Sequence, residues 1–451
     1  MAYIALTSLV DVVDDLRRGR LDLHAHIDAS CDRVEQIDPV LQALVPEAGR
    51  RARLHAAADG LLGDYPDPGH RPPLFGALVG VKDVMRVEGL PTAGGSALPP
   101  EELDGSESAV VTALRSAGAL VLGKTRTAEF AYAAPGPTRN PRDPGRTPGG
   151  SSHGSAAGVA AGLCPLALGT QTIASTMRPA AYCGVVGYVP THGRIATDEL
   201  LFVSRALDRV GLFTADVASM GLAAGSVVAG WRRVSAQRRP ALGVAEGPFL
   251  DCVEPAAREL LELQVAALAA AGYRVRRVGV FEDAGAVTAS LRRLVNGELA
   301  REHAKLFERY RDRYRPQTAA GIQAGLAVDD QQLQADRRAA LQRRRRVEAQ
   351  RWSAGVDVWV SPAACGPAPE GIASSGAPWL SVPWSYVGLP AVALPAGTVD
   401  GLPAGLQLVG GWRADEHLLA WATGIAEAVG QPMVEAGPAN GAVGGREFRW
   451  Y

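Results

Sequence analysis

A chain of 451 residues that is 47% hydrophobic and 21% charged has ample material for a core and the composition of an ordinary globular protein. Its 46 Lys and Arg residues balance 47 Asp and Glu, which removes any global electrostatic case for nucleic acid or an anionic membrane as partner. Five scattered cysteines (Cys31, Cys164, Cys183, Cys252 and Cys365), without C-x-x-C spacing, argue for reduced thiols and against a disulfide framework or zinc site.

In chain order, "MAYIALTSLVDVVDDLRRG" carries acids where a secretory leader needs a basic start and a long apolar run. No apolar run approaches the ~20 residues of a membrane span, so a cytoplasmic protein is expected. Leu9, Val12, Val13 and Leu16 recur at helical spacing, and a second helical run follows around 23–36. A Pro/Gly/Asp segment at 63–73 separates these helices from the body. "LFGALVGVKDV" (74–84) predicts a strand or strand pair in which, where its end is extended, Gly80 and Lys82 share one face and Val81 and Asp83 the other. Helices at 108–118, 154–164 and 254–272 then alternate with strands at 119–125, 165–171, 241–247 and 273–281. A helical middle at 284–352 precedes strands at 357–363, 391–397 and 405–411 and a last helix at 414–429. The alternation predicts an α/β fold with a central mixed β-sheet flanked by helices on both faces. Without repeats or a low-complexity linker, residues 1–451 read as one domain, with N-terminal helices at 1–62, a core segment at 70–215 and the helical region at 284–352.

Two motifs match well-known patterns without their context. "GALVLGKT" (118–125) fits the P-loop pattern, but its variable positions read as a strand, and a strand has no free N–H groups to cradle phosphate. "GSSHG" (150–154) fits G-x-S-x-G with Ser152 as nucleophile and His192, His303 or His417 as conceivable partners. A nucleophile elbow needs a strand before the turn, and "TRNPRDPGRTPGG" is a Pro-rich loop. The arginine-rich stretch 336–352 reads as a solvated helix face. "HAH" at 24–26 lacks any spacing that would support a metal. What does call for an explanation is "PGGSSHGSAAGVAAG" (148–162), where two serines open a helix made almost wholly of Ala and Gly. Such a helix forgoes large buried side chains, so close backbone approach is required there.

"GVKDV" with Lys82, "TRNPRDPGRTPGGSSHGSAAGVAAGLCPLALGTQT" and "RPAAYCGVVGYVPTHGRI" together resemble the amidase signature family. "AGALVLGKTRTAEFAY" (117–132), "LDRVG" (207–211), "GPAPEG" (366–371) and "GLPAVALPAG" with "GLPAGLQLVGG" resemble the family's other landmarks in order, so the resemblance runs from about 70 to 430. It implies a Ser-Ser-Lys triad, with Lys82 as base, Ser151 (on a cis peptide in such families) as relay and Ser175, 24 residues later, as nucleophile. Ser152 would hold the loop. It also implies an oxyanion hole from the backbone of Thr172, Ile173 and Ala174, and pocket segments that carry Tyr132, Trp379 and Trp384. No cofactor and no metal are implied.

The chemistry is consistent on its own terms. A serine hydroxyl is a poor nucleophile until a base takes its proton, and lysine is a base only when burial lowers its pKa. One departure stands out: the family reads Gly-Gly-Ser before the nucleophile, and this chain reads Ile173-Ala174-Ser175. A β-branched residue at positive φ would be strained. Either the loop takes another path, or φ is negative and Ile173 narrows the pocket. The leading expectation is an amidase, a hydrolase of linear carbon–nitrogen bonds other than peptide bonds, acting on a small-molecule amide through an acyl-enzyme. Alternatives are an amide-forming or acyl-transferring enzyme of the same family, or a silent binding subunit. Nucleic acid and membrane are not expected partners, and a homodimer is admitted.

Overall fold

Side-chain alternation along the strands sorts the apolar residues into two cores on opposite faces of one sheet. In one strand Leu120 and Leu122 enter one core while Val121 between them enters the other, as a period of two requires. The structure, a computed structural model, describes residues 3–434. The ends of the 1–451 domain reading, 1–2 and 435–451, lie outside the described residues.

The strands are β1 (Leu78–Lys82), β2 (Leu120–Thr125), β3 (Leu166–Gln171), β4 (Val186–Val189), β5 (Arg209–Thr214), β6 (Leu242–Glu246), β7 (Val275–Gly279), β8 (Val358–Pro362), β9 (Ala391–Val399), β10 (Leu402–Val409) and β11 (Met433–Val434). They form one mixed sheet in the order β2-β1-β3-β5-β4-β9-β10-β8-β6-β7, with β11 beside β9. Pairing is parallel towards both ends of this order and antiparallel from β3 through β8. The helices Leu23–Leu41, His153–Ala160 and Ala284–Tyr310 contribute to one core. The helices Ala109–Ser116, Val217–Val227 and Asp415–Val429 contribute to the other. This is the α/β architecture that the alternation predicts.

Three features differ from the sequence reading. The strands β4 and β5 and the helices Met177–Cys183, Val217–Val227 and Val382–Val387 were not expected. In β4, β5 and the first and last of these helices every residue is buried, so no polar face supplies a period to read. The second N-terminal helix continues past the expected 36 to Leu41, while the third, Arg50–Asp64, falls almost wholly within the N-terminal helices expected at 1–62. The expectation of five reduced thiols is corrected: Cys252 and Cys365 form a disulfide with their Cα atoms 5.5 Å apart, while Cys31, Cys164 and Cys183 are free and buried. A separation of 113 residues carries no local signal, and only the fold brings the end of β8 to the 248–254 turn, where Glu254 N donates to Cys365 O at 2.7 Å. Among the described residues no helix is long and apolar enough to cross a membrane.

The site is set by β1 and β3, which pair in parallel with Val81 opposite Leu168, so Lys82 at the end of β1 reaches the end of β3. The Ala/Gly helix His153–Ala160 lies against them with every residue buried. Gly154 in its first turn has no room for a side chain: a Cβ there would sit 2.3 Å from Ala43 O. Close approach is thus the reason for the glycine at 154.

Candidate active site

Lys82 is the centre of the arrangement. It is 0% exposed, and its Nζ lies 2.7 Å from Ser151 Oγ, 3.0 Å from Ser152 Oγ and 2.7 Å from Thr170 Oγ1. Among the described residues no carboxylate bonds to it, and burial lowers its pKa to about 7, against a weaker upward pull from Asp208. The cause is the cost of a charge in a site that offers only neutral oxygens.

The hydroxyl geometry directs the protons. Ser152 donates to Thr170 O at 3.1 Å and accepts from Thr170 N at 3.2 Å, so towards Lys82 it can only accept. A neutral lysine amine has one lone pair, which the Ser151 or the Thr170 hydroxyl can fill. Gly169 makes room for this: a Cβ there would lie 2.8 Å from Ser152 Oγ. Ser151 follows a cis peptide bond from Gly150, whose carbonyl accepts from Arg178 Nη2 at 2.6 Å. Arg178 Nη1 donates at 2.5 Å to Gly376 O in the 372–379 loop.

Ser175 stands just before the helix Met177–Cys183 and is 8% exposed. Its hydroxyl makes no hydrogen bond among the described residues, so Lys82 and Ser151 are in contact while Ser175 is not bonded to either. The preceding loop is held from beneath. Gln171 Oε1 accepts from Thr176 N at 2.9 Å and Met177 N at 3.0 Å, capping the helix. Thr172 Oγ1 donates to Asp208, whose other oxygen accepts from Val203 N and Ser204 N. Burial raises the Asp208 carboxyl to about 6. Neither Ile173 nor Ala174 has positive φ, which settles the question raised by the missing glycines: an L-residue is unstrained here. Among the described residues the backbone N–H groups of Ile173, Ala174 and Ser175 have no acceptor, the condition an oxyanion hole must meet.

The three aromatic candidates part company. The Tyr132 hydroxyl donates to Asn296 Oδ1 at 2.8 Å, and burial pushes its pKa up to about 12. Trp384 is 2% exposed and packs edge-on against Phe249 and Phe281. Trp379 is half-buried against the same core. The two motifs without context are accounted for: residues 120–125 are the β2 strand, with Lys124 paired to Asp83 at 2.8 Å. No histidine contacts Ser152 among the described residues; His303 Nδ1 meets the Tyr314 hydroxyl, and His417 stacks on Trp421. His153 accepts from Gly136 N, and burial lowers its pKa to about 3. Sequence reasoning missed Thr170, Gln171, Asp208 and Ser385. Thr170 and Gln171 stood at the end of the quoted run 138–172 and Asp208 in "LDRVG", and only Ser385 lay outside every quoted motif.

Comparison with known proteins bears on the family and the fold. The family model described as Amidase matches residues 25–419. A solved structure titled "Crystal structure of amidase" superposes with a TM-score of 0.83 at 29% identity, covering 94% of this chain and all of the other. A second, from a complex described as revealing the origins of an s-triazine catabolic enzyme, gives a TM-score of 0.81 at 26% identity over 94% and 99% of the two chains. Among curated proteins, a glutamyl-tRNA(Gln) amidotransferase subunit from Synechococcus sp. (strain RCC307) is 35% identical over 46% of this chain and 43% of its own length. The protein of the same name from Koribacter versatilis (strain Ellin345) is 31% identical over 55% and 56%. The matched region thus spans about half the length of these curated relatives.

Proposed function

Because the chain belongs to the Amidase family, we propose that it hydrolyses a small-molecule amide through an acyl-enzyme on Ser175. The observation that carries this reading is the wholly buried Lys82, held near neutrality and 2.7 Å from Ser151. Neutral Lys82 takes the Ser151 proton as Ser151 takes that of Ser175, and the Ser175 oxygen attacks the amide carbon. The backbone N–H groups of the 172–175 loop stabilise the oxyanion. The proton returns through Ser151 to the leaving nitrogen, the carbon–nitrogen bond breaks, and amine departs. Water then attacks the ester by the same relay, releasing carboxylic acid and restoring Ser175.

The test is a fluorophosphonate probe with intact-mass and peptide analysis, followed by a panel of aryl, aliphatic and ureido amides. Labelling at Ser175 in the wild type and none in Ser175→Ala is expected. Equal labelling of Ser175→Ala would overturn the assignment. A second reading has its own support, since the curated relatives are named as amidotransferase subunits: an amine, in place of water, resolves the acyl-enzyme, or the chain works with a protein partner. Product analysis with added ammonia or hydroxylamine discriminates, because transfer converts the acyl group to a new amide at the expense of acid.

A further inference from the structure

The Ile173–Ala174 peptide is oriented by a residue 212 positions further along the chain. Ser385 lies in the short helix Val382–Val387, is 1% exposed, and places its Oγ 2.5 Å from the carbonyl oxygen of Ile173. Two other groups reach the same hydroxyl: Gln171 Nε2 at 3.1 Å and Arg209 Nη2 at 3.3 Å. Arginine can only donate. The Gln171 amide is fixed the same way, because its oxygen accepts from Thr176 N and Met177 N and its nitrogen must therefore face Ser385. With both neighbours donating, the hydroxyl proton of Ser385 has one acceptor left, the Ile173 carbonyl.

This matters because a trans peptide carries its C=O and N–H in opposite directions. Among the described residues the only cis bond is Gly150–Ser151, so the Ile173–Ala174 bond is trans. Fixing the Ile173 carbonyl inward, towards the buried Ser385, turns the Ala174 N–H the other way. That N–H belongs to a residue 2% exposed and has no acceptor among the described residues, and a buried donor without a partner is rare. We infer that Ser385 is a positioning residue: by holding the Ile173 carbonyl it aims the Ala174 N–H at the substrate oxygen that becomes negative during acylation of Ser175. The arrangement does for Ile-Ala what positive φ would do for glycines, since it fixes the peptide plane from outside the loop.

The inference rests on the hydrolytic reading above, and one experiment separates the two. Fluorophosphonate labelling rates are measured against pH for the wild type, Ser385→Ala, Ser385→Cys and Ser385→Thr. Cysteine preserves volume but is a weak donor, so it serves if the alanine variant does not fold. The expected result is a plateau rate at least about tenfold lower in the alanine or cysteine variant, recovery to within about threefold in Ser385→Thr, and one unchanged pH midpoint throughout. An unchanged plateau overturns the inference. So does a lowered plateau whose midpoint moves with it, because that reports general loosening around Lys82. Absence of Ser175 labelling in the wild type removes the hydrolytic reading and the inference together. Normal wild-type labelling with unaffected Ser385 variants removes the inference alone.

Discussion

Lys82 Nζ and Ser151 Oγ are 2.7 Å apart, and the lysine has no exposed surface. The pair fixes the sign of the pH dependence. Burial lowers the Lys82 pKa to about 7, so the amine is protonated, and unable to accept, below that pH. The labelling rate of Ser175 should rise about tenfold per pH unit up to roughly 7 and level off above it. A flat profile between pH 5 and 8 would exclude Lys82 as the base.

The same group leaves a mark on stability. Its folded pKa lies below its unfolded value of 10.5, so between about 7 and 10.5 the unfolded chain binds the extra proton. Unfolding free energy therefore gains a positive slope with pH in that window from this residue. Denaturant titrations at pH 7 and 9 should show a larger gain in the wild type than in Lys82→Met, which has nothing to titrate there.

Ser152 and Ser175 should differ in kind. Ser175→Ala should lose nearly all labelling with the fold intact. Ser152→Ala leaves the buried Thr170 N–H without its acceptor, which costs about 1–3 kcal/mol of stability, while labelling falls less. Loss of labelling in Ser152→Ala equal to that in Ser175→Ala would restore the elbow reading of "GSSHG".

Ile173 has negative φ and a side chain half-buried against the core. Ile173→Gly removes that bulk beside the nucleophile and should broaden the acyl groups accepted, at a backbone cost of roughly 0.5–1 kcal/mol. Steady-state rates on the amide panel check this; identical selectivity in the two proteins would show that the branched side chain does not shape the pocket.

The Cys252–Cys365 bond closes a separation of 113 residues, for which the chain-entropy account gives roughly 4–5 kcal/mol. Dithiothreitol or Cys252→Ser should lower the thermal midpoint by several degrees with little effect on Ser175 labelling. An unshifted midpoint would mean that the bond adds nothing to the folded state.

What was legible in the sequence follows from distance along the chain. Lys82 and Ser151 stand in contiguous motifs and Ser175 in the short gap between two of them, and the β1, β2 and β3 strands that carry or flank them are apolar runs between turn signals. The roles of the residues that orient the site are not written this way. Thr170 lies in the same long motif as Ser151, but its part shows only when Lys82 is found against it. Ser385 meets Ile173 across 212 positions, and Cys252 meets Cys365 across 113. Nor does composition distinguish an aromatic residue of a pocket from one of a core: Trp384 packs among Phe249, Phe281 and Trp359.

Arg178 grips Gly150 O with one arm of its guanidinium and Gly376 O with the other. The peptide that carries Ser151 and the loop at 372–379 are therefore clamped to one rigid fork. A designer who grafts a new 372–379 loop also inherits a constraint on the peptide that carries Ser151. Loops that keep a carbonyl at the Gly376 position should be tolerated. Loops that withdraw it leave one arm of a buried guanidinium without a partner, and the Gly150–Ser151 peptide then depends on a fork anchored at one end. The 372–379 loop and the peptide before Ser151 are thus mechanically linked, and libraries at this edge should be built with Gly376 held constant.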